Sequence, residues 1–228
     1  MKKFKLAASI VCADMLDIRG EVQRIERGGA DLIHFDVMDG DFVPRFGLHP
    51  EMLCSIRSIS KLPIDVHLMV NSPVEYVKDF ALAGATYLTV HVESTNHLHR
   101  AISTIKGLGV KAGIALNPGT SITAIEEVIT EIDMVLLMAI NPGIVGHKII
   151  PSTFAKIQRC REMIDRSAPG IPIMIDGGVT YQSAAEMLSA GAEMLVCGSS
   201  TIFQPDAPVD VKLGQFRNCI KSKPGFES

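Results

Sequence analysis

Short apolar runs alternate with amphipathic stretches along the chain, one pair in roughly every 20–30 residues. Eight runs stand out: Leu6–Ile10, Leu32–Asp36, Ile64–His67, Tyr87–His91, Lys111–Leu116, Met134–Met138, Ile173–Ile175 and Met194–Cys197. Each is short and largely apolar on both faces, as strands covered on both sides of a parallel sheet are. Helix punctuation fills the intervals. Asn71-Ser72-Pro73 joins a capping residue to a proline fit for the first turn and predicts a helix start. Within Pro151–Arg166, the residues Phe154, Ile157, Cys160 and Ile164 fall on one helical face. Gly28-Gly29-Ala30-Asp31, Ala83-Gly84-Ala85-Thr86 and Ala190-Gly191-Ala192-Glu193 each precede a strand, as glycine helix stops do. Eight strand–helix units predict an α/β fold, a (β/α)8 TIM barrel forming a single domain over residues 1–228 and closed by a last helix at about 207–220. An open doubly wound sheet is the competing arrangement, but the first strand–helix turn lacks GxGxxG.

Composition narrows the class. Of 228 residues, 47% are hydrophobic and 21% charged, with a net charge of −3, which excludes a disordered chain. No basic run exceeds two adjacent residues, so nucleic acid is not expected as a partner. No apolar run approaches the ~18 residues that span a bilayer, so no membrane is expected either. Cys12, Cys54, Cys160, Cys197 and Cys219 are odd in number and include no CxxC pair. Such usage fits a reducing cytoplasm rather than a disulfide scaffold or zinc ribbon. The basic start Met1–Lys5 ahead of Leu6–Cys12 has the outline of a signal or lipoprotein peptide. Its apolar part is too short and Val11 suits a lipidated cysteine poorly, so the segment reads as the first strand.

In such barrels chemistry gathers at the C-terminal ends of the strands. The second strand ends in His34-Phe35-Asp36-Val37-Met38-Asp39-Gly40, the third in Asp65-Val66-His67-Leu68-Met69 and the seventh in Ile175-Asp176-Gly177-Gly178. His34 and Asp36 are two apart on a strand and share a face. With His67 and Asp176 they make two imidazoles and two carboxylates, a donor set for one divalent ion of borderline character such as Zn, Fe(II), Mn or Co. Any one of them is more often a satisfied polar residue at a strand end; four at three strand ends point to a centre. Glycines form a second group. Gly143, Ile144, Val145 and Gly146 follow the sixth strand, Gly177 and Gly178 the seventh, and Gly198 and Ser199 the eighth. Backbone N–H groups in such turns cradle phosphate. Met38, Met69 and Met138 sit at or past strand ends, either as gap-filling core or as an apolar lid over reacting carbons. Ser9, closing the first strand, faces the same mouth and is placed to bond a substrate hydroxyl.

These blocks resemble a family. Ala8-Ser9-Ile10, His34 through Gly40, Phe42-Val43-Pro44, Asp65 through Met69, His91-Val92-Glu93, His97-Leu98-His99-Arg100, Leu116-Asn117-Pro118, Asn141-Pro142-Gly143 and Asp176-Gly177-Gly178-Val179 resemble those of ribulose-phosphate 3-epimerases, from about Leu6 to Phe203. The resemblance implies one divalent metal per chain on His34, Asp36, His67 and Asp176. It implies Asp36 as proton acceptor and Asp176 as proton donor, with Ser9 and His67 touching substrate under the methionine cap. Phosphate would lie on Gly143 to Gly146, Gly177-Gly178 and Gly198-Ser199. It further implies a cytoplasmic homo-oligomer, dimer to hexamer, that interconverts ribulose 5-phosphate and xylulose 5-phosphate in the pentose phosphate pathway. The chemistry fits those residues. Inverting C3 of a 2-ketose removes a proton α to a carbonyl, a metal stabilises the enediolate charge, and an acid on the opposite face completes the inversion. One carboxylate must then be tuned upward to work near neutrality.

Two departures ring the expected mouth. Ile144-Val145-Gly146-His147 stands where many relatives carry Phe-Gly-Gly-Gln, and Arg45 follows Phe42-Val43-Pro44 where Asn is usual. They keep open a hexulose-phosphate 3-epimerase acting, for example, on allulose 6-phosphate. A lyase or decarboxylase of the same phosphate-binding superfamily would commonly place Lys among strand-end carboxylates, and these strand ends offer none. A non-catalytic binding protein is the remaining alternative, although every presumed acid, base and ligand is present.

Overall fold

Eight parallel strands pair in chain order and the eighth pairs with the first, closing a barrel. They are β1 (Lys5–Ser9), β2 (Leu32–Met38), β3 (Ile64–Met69), β4 (Tyr87–His91), β5 (Lys111–Leu116), β6 (Met134–Met138), β7 (Ile173–Asp176) and β8 (Met194–Cys197). The computed structural model describes residues 3–144, 146 and 148–226; the expectations at Val145 and His147 lie outside them. Among the described residues seven α-helices cover the barrel: α1 (Ile18–Arg27), α2 (Pro50–Ile59), α3 (Val77–Leu82), α4 (Leu98–Gly107), α5 (Thr153–Ser167), α6 (Ala184–Ala190) and α7 (Val209–Lys221). The segment after β5 is instead a run of 3-10 helix, Ile122–Glu131. Its many β-branched residues are poor α-helix formers, yet Ile125, Val128 and Ile129 still bury their side chains.

The expected elements are largely present, with shifts at their ends. β2 and β3 run two residues beyond the expected stops because their ladder continues through Val37↔Leu68 and Met38↔Met69. Ile10 leaves β1 and enters a 3-10 turn, Ile10–Cys12. The start expected at Asn71-Ser72-Pro73 is a correction. Ser72 adopts a left-handed φ of 52° and makes no side-chain cap, Pro73 opens a 3-10 turn, and α3 begins only at Val77. The expected glycine stops hold, with Gly29, Gly84 and Gly191 at positive φ. At the seam, α7 crosses α1 so closely that a Cβ on Gly28 would lie 2.8 Å from the Asp210 Cα. Arg217 of α7 reaches Asp31 and the Gly29 carbonyl, both at 2.7 Å, tying α7 to the turn between α1 and β2.

Two apolar cores explain why the strands are apolar on both faces. The larger lies between sheet and helices and includes Ile33, Phe35, Val66, Leu68, Leu88 and Ile175. The smaller fills the barrel with Ala7, Leu32, Ala115, Met134, Leu136, Met138, Met174, Met194 and Val196. Alternation then turns His34, Asp36, Asp65, His67, Thr89 and His91 of β2 to β4 inward as well, and all six are buried. The barrel interior is thus apolar on one side and polar on the other. Among the described residues, no helix is long and apolar enough to cross a membrane.

Candidate active site

Strand register assembles the polar side of the barrel. His34 of β2 stands opposite Asp65 of β3, and Asp36 opposite His67. Asp176, the last residue of β7, joins them, so that one donor atom from each of His34, Asp36, His67 and Asp176 lies within 4.8 Å of the others. His34 Nε2 is 3.1 Å from Asp36 Oδ1 and 3.8 Å from Asp176 Oδ2; His67 Nδ1 is 3.3 and 3.7 Å from the same oxygens. His34 Nε2 is fully buried and has no hydrogen-bond partner. An orphaned imidazole nitrogen facing two carboxylates and a second imidazole fits a divalent cation.

Supporting residues lie behind the imidazoles. Asp65 accepts from His34 Nδ1 at 2.9 Å and from the Thr89 hydroxyl. An ionised carboxylate only accepts, so His34 Nδ1 carries a proton and Nε2 is the ring nitrogen that faces the cluster. Behind His67, its Nε2 lies 2.9 Å from His91 Nε2, and His91 Nδ1 lies 3.1 Å from Glu93 Oε2. Burial pushes the His91 imidazole down to about 4. The sequence reading gave these supporting residues no role, although Asp65, Thr89 and His91 carry the same two-residue spacing that singled out His34 and Asp36. Gly47 gave no such signal. The loop after β2 folds back so that a Cβ there would lie 2.6 Å from the Met38 nitrogen and 2.7 Å from the Asp36 carbonyl.

The two site carboxyls are driven apart. Burial pushes Asp176 up, and the neighbouring Asp36 charge adds to that rise against the opposing pull of His34 and His67. Burial acts on Asp36 too, but the two imidazoles beside it, His34 and His67, outweigh it and hold that carboxyl well below the usual range. One acid and one base of unequal strength result.

Above the cluster opens a cavity whose floor includes Asp36 and Asp176. Ser9 borders it and donates to Asp36 Oδ2 at 2.8 Å. Met38 and Met69 pack with Val43 over one side, while Met138 reaches it from the barrel core. Gly143, Gly146, Gly177 and Gly178, all at positive φ, form the opposite wall with Ile144, Gly198 and Ser199. At Gly177 a Cβ would strike the Ile140 side chain at 2.3 Å, so the turn needs glycine. His34 and His67 are fully buried and lie outside the cavity lining, whereas Arg45 and Cys12 belong to it. A larger cavity, about 720 Å³, lies at the other end of the barrel among Lys3, Lys5, Lys111 and Arg217. It is far from the strand ends that carry the paired carboxyls.

Residues 5–203 match the family model described as the ribulose-phosphate 3 epimerase family. The chain belongs to this family. The ribulose-phosphate 3-epimerase of Bacillus subtilis is 45% identical over 203 residues, covering 89% of this chain and 94% of that protein. Those of Aquifex aeolicus and Escherichia coli K12 are 46% and 41% identical, covering 85% and 90% of this chain and 87% and 92% of those proteins. Among solved structures, KGPDC from Streptococcus mutans superposes with a TM-score of 0.70 at 13% identity, over 97% of this chain and 100% of that one. Phosphoribosyl anthranilate isomerase from Thermus thermophilus gives 0.67 at 14% identity, over 96% and 99%. These two share the barrel. The family membership and the cluster together make this chain an epimerase of carbohydrate phosphates.

Proposed function

We propose that the chain interconverts D-ribulose 5-phosphate and D-xylulose 5-phosphate by moving a proton at C3 between Asp36 and Asp176. The observation that carries this reading is the pair of carboxyls on one cavity floor, one lowered and one raised by their surroundings. Asp36, ionised and held by Ser9, is fit to accept the C3 proton; Asp176, the weaker acid, is fit to deliver one. The return direction exchanges the roles. His34, Asp36, His67 and Asp176 would hold one divalent ion, with Zn, Fe(II), Mn and Co all suited to the donor set. When bound, that ion supplies charge stabilisation as C3 is deprotonated. The turns at Gly143 to Gly146, Gly177-Gly178 and Gly198-Ser199 would receive the phosphate through backbone N–H groups, and the methionines would shield the reacting carbons from water. The family relationship supports a homo-oligomer, and the five free cysteines suit the cytoplasm.

Arg45 at the cavity edge favours one second reading, a hexulose phosphate such as D-allulose 6-phosphate, because a longer sugar chain reaches further toward that rim. Both readings are tested by incubating the metal-loaded enzyme with each ketose phosphate in deuterium oxide. Ribulose 5-phosphate is expected to turn over faster, with deuterium entering the product at C3 alone. Asp36→Asn and Asp176→Asn should each lose at least ~10²-fold in turnover in both directions. Product unlabelled at C3, or near-normal turnover by Asp176→Asn, overturns the two-carboxyl mechanism; faster turnover of the hexulose selects the second reading.

A further inference from the structure

We propose that His91 and Glu93 are positioning residues that fix the ring tautomer of His67, so that His67 meets the metal through Nδ1 while its Nε2 keeps the proton. The inference rests on the metal reading of the four-residue cluster.

The argument is one of hydrogen parity. Three groups stand in line behind the cluster: His67 Nε2 is 2.9 Å from His91 Nε2, and His91 Nδ1 is 3.1 Å from Glu93 Oε2. Two ring nitrogens at that separation share a single hydrogen, and either ring could own it. At the His67 end, Nδ1 also lies 3.3 Å from Asp36 Oδ1, a contact that a cation bound there would take over; at the far end Glu93 stays. It terminates the line as a carboxylate that only accepts, and it already accepts from the Asn117 N–H at 2.8 Å and from the Thr120 hydroxyl. With the cation on His67 Nδ1, His91 donates from Nδ1 to Glu93 and accepts at Nε2. The shared hydrogen belongs to His67 Nε2. That leaves the His67 Nδ1 lone pair directed at Asp36 and Asp176, where the other donors converge.

Packing holds the line in place. His91 is fully buried, lies nearly parallel to the His67 ring with centroids 5.0 Å apart, and is covered on another side by Phe42 at 4.9 Å. His34 shows the complementary arrangement. Asp65 fixes its Nδ1 directly and Nε2 faces the cluster. The two imidazoles thus offer opposite nitrogens, each backed by a carboxylate, one directly and one through a second imidazole. Such outer partners orient a ligating ring and raise its basicity.

The test uses Zn²⁺ and Co²⁺ as probes. In the zinc-loaded wild type, long-range ¹H–¹⁵N correlation is expected to show His67 protonated at Nε2; a proton on Nδ1 would overturn the proposal. In chelator competition with Co²⁺, His91→Leu should bind about 10- to 100-fold more weakly, with an altered visible absorption band. His91→Gln, whose side-chain oxygen can accept the same hydrogen, should recover most of that loss. If His91→Leu does not fold, Glu93→Gln takes its place with a smaller loss expected. A folded variant with a lower melting temperature but unchanged Co²⁺ affinity would show a structural role only and overturn the proposal. A wild type that binds neither ion would defeat the metal reading itself, an outcome distinct from unchanged variant affinity.

Discussion

Asp36 and Asp176 show how neighbours divide identical side chains. Both share one buried cluster, but Asp36 sits against two imidazoles and a hydroxyl, whereas Asp176 faces the charge of Asp36. Glu93 allows the same electrostatic reasoning to be checked away from the cluster. Burial raises its carboxyl, but hydrogen bonds from His91, Thr120 and Asn117 outweigh that and hold it at about 2, against an ordinary 4.5. A carboxyl lowered on folding stabilises the fold fully above its unfolded value and loses that contribution as pH falls through its folded one. Glu93→Gln should therefore be less stable than wild type at pH 7, and the gap should close between about 4.5 and 2, measured by urea midpoints. A gap that stays constant with pH would show that the charge is not its source.

At the scale of elements, β2 carries the most. Every one of its residues from Leu32 to Met38 is buried, and it supplies His34, Asp36 and Met38 to the inward face. Its end is held by the returning loop, with Leu48 N–H donating to the Asp36 carbonyl and Gly47 N–H to the Met38 carbonyl, both at 3.0 Å. Gly47→Ala would press a methyl onto backbone atoms of Asp36 and Met38 that have no room to yield. It should cost about 1–3 kcal/mol of stability, as overpacking does, and lower turnover. Gly119→Ala, where nothing lies within 4 Å of the added carbon, should change neither melting temperature nor rate. Much of this level was legible in the sequence. β4, β5, β6 and β8 have the bounds that their sequence pattern predicts, and the two-residue spacing of His34 and Asp36 gave their shared face. Local pattern did not reveal the 3-10 form of Ile122–Glu131 or the late start of α3, because backbone geometry decides both. Nor did it reveal the His67–His91–Glu93 line, which depends on side chains from neighbouring strands meeting ring to ring.

For the whole molecule, the apolar packing and the polar cluster are separable. The core between sheet and helices surrounds the barrel independently of the four donor residues. Stripping the ion with a chelator should abolish turnover while the far-ultraviolet circular dichroism of the barrel persists, and about one divalent ion per chain should restore activity. A ligand at a hundred times its dissociation constant adds ~2.7 kcal/mol to stability, so the melting temperature should rise with added ion. Loss of the helical signal on chelation would show instead that the ion is part of the fold.

The pairing of Lys5 with Met194 and of Ala7 with Val196 closes the barrel with its last strand. As the chain leaves the ribosome, His34, Asp36 and His67 emerge long before Asp176, and the turn at Gly198 follows later still. A nascent chain that has not yet released β7 and β8 holds both imidazoles but lacks Asp176 and the glycine turns beside it. The four donor residues therefore come together only after β7 has emerged, and a truncated product ending before Asp176 is expected to be inert rather than half active.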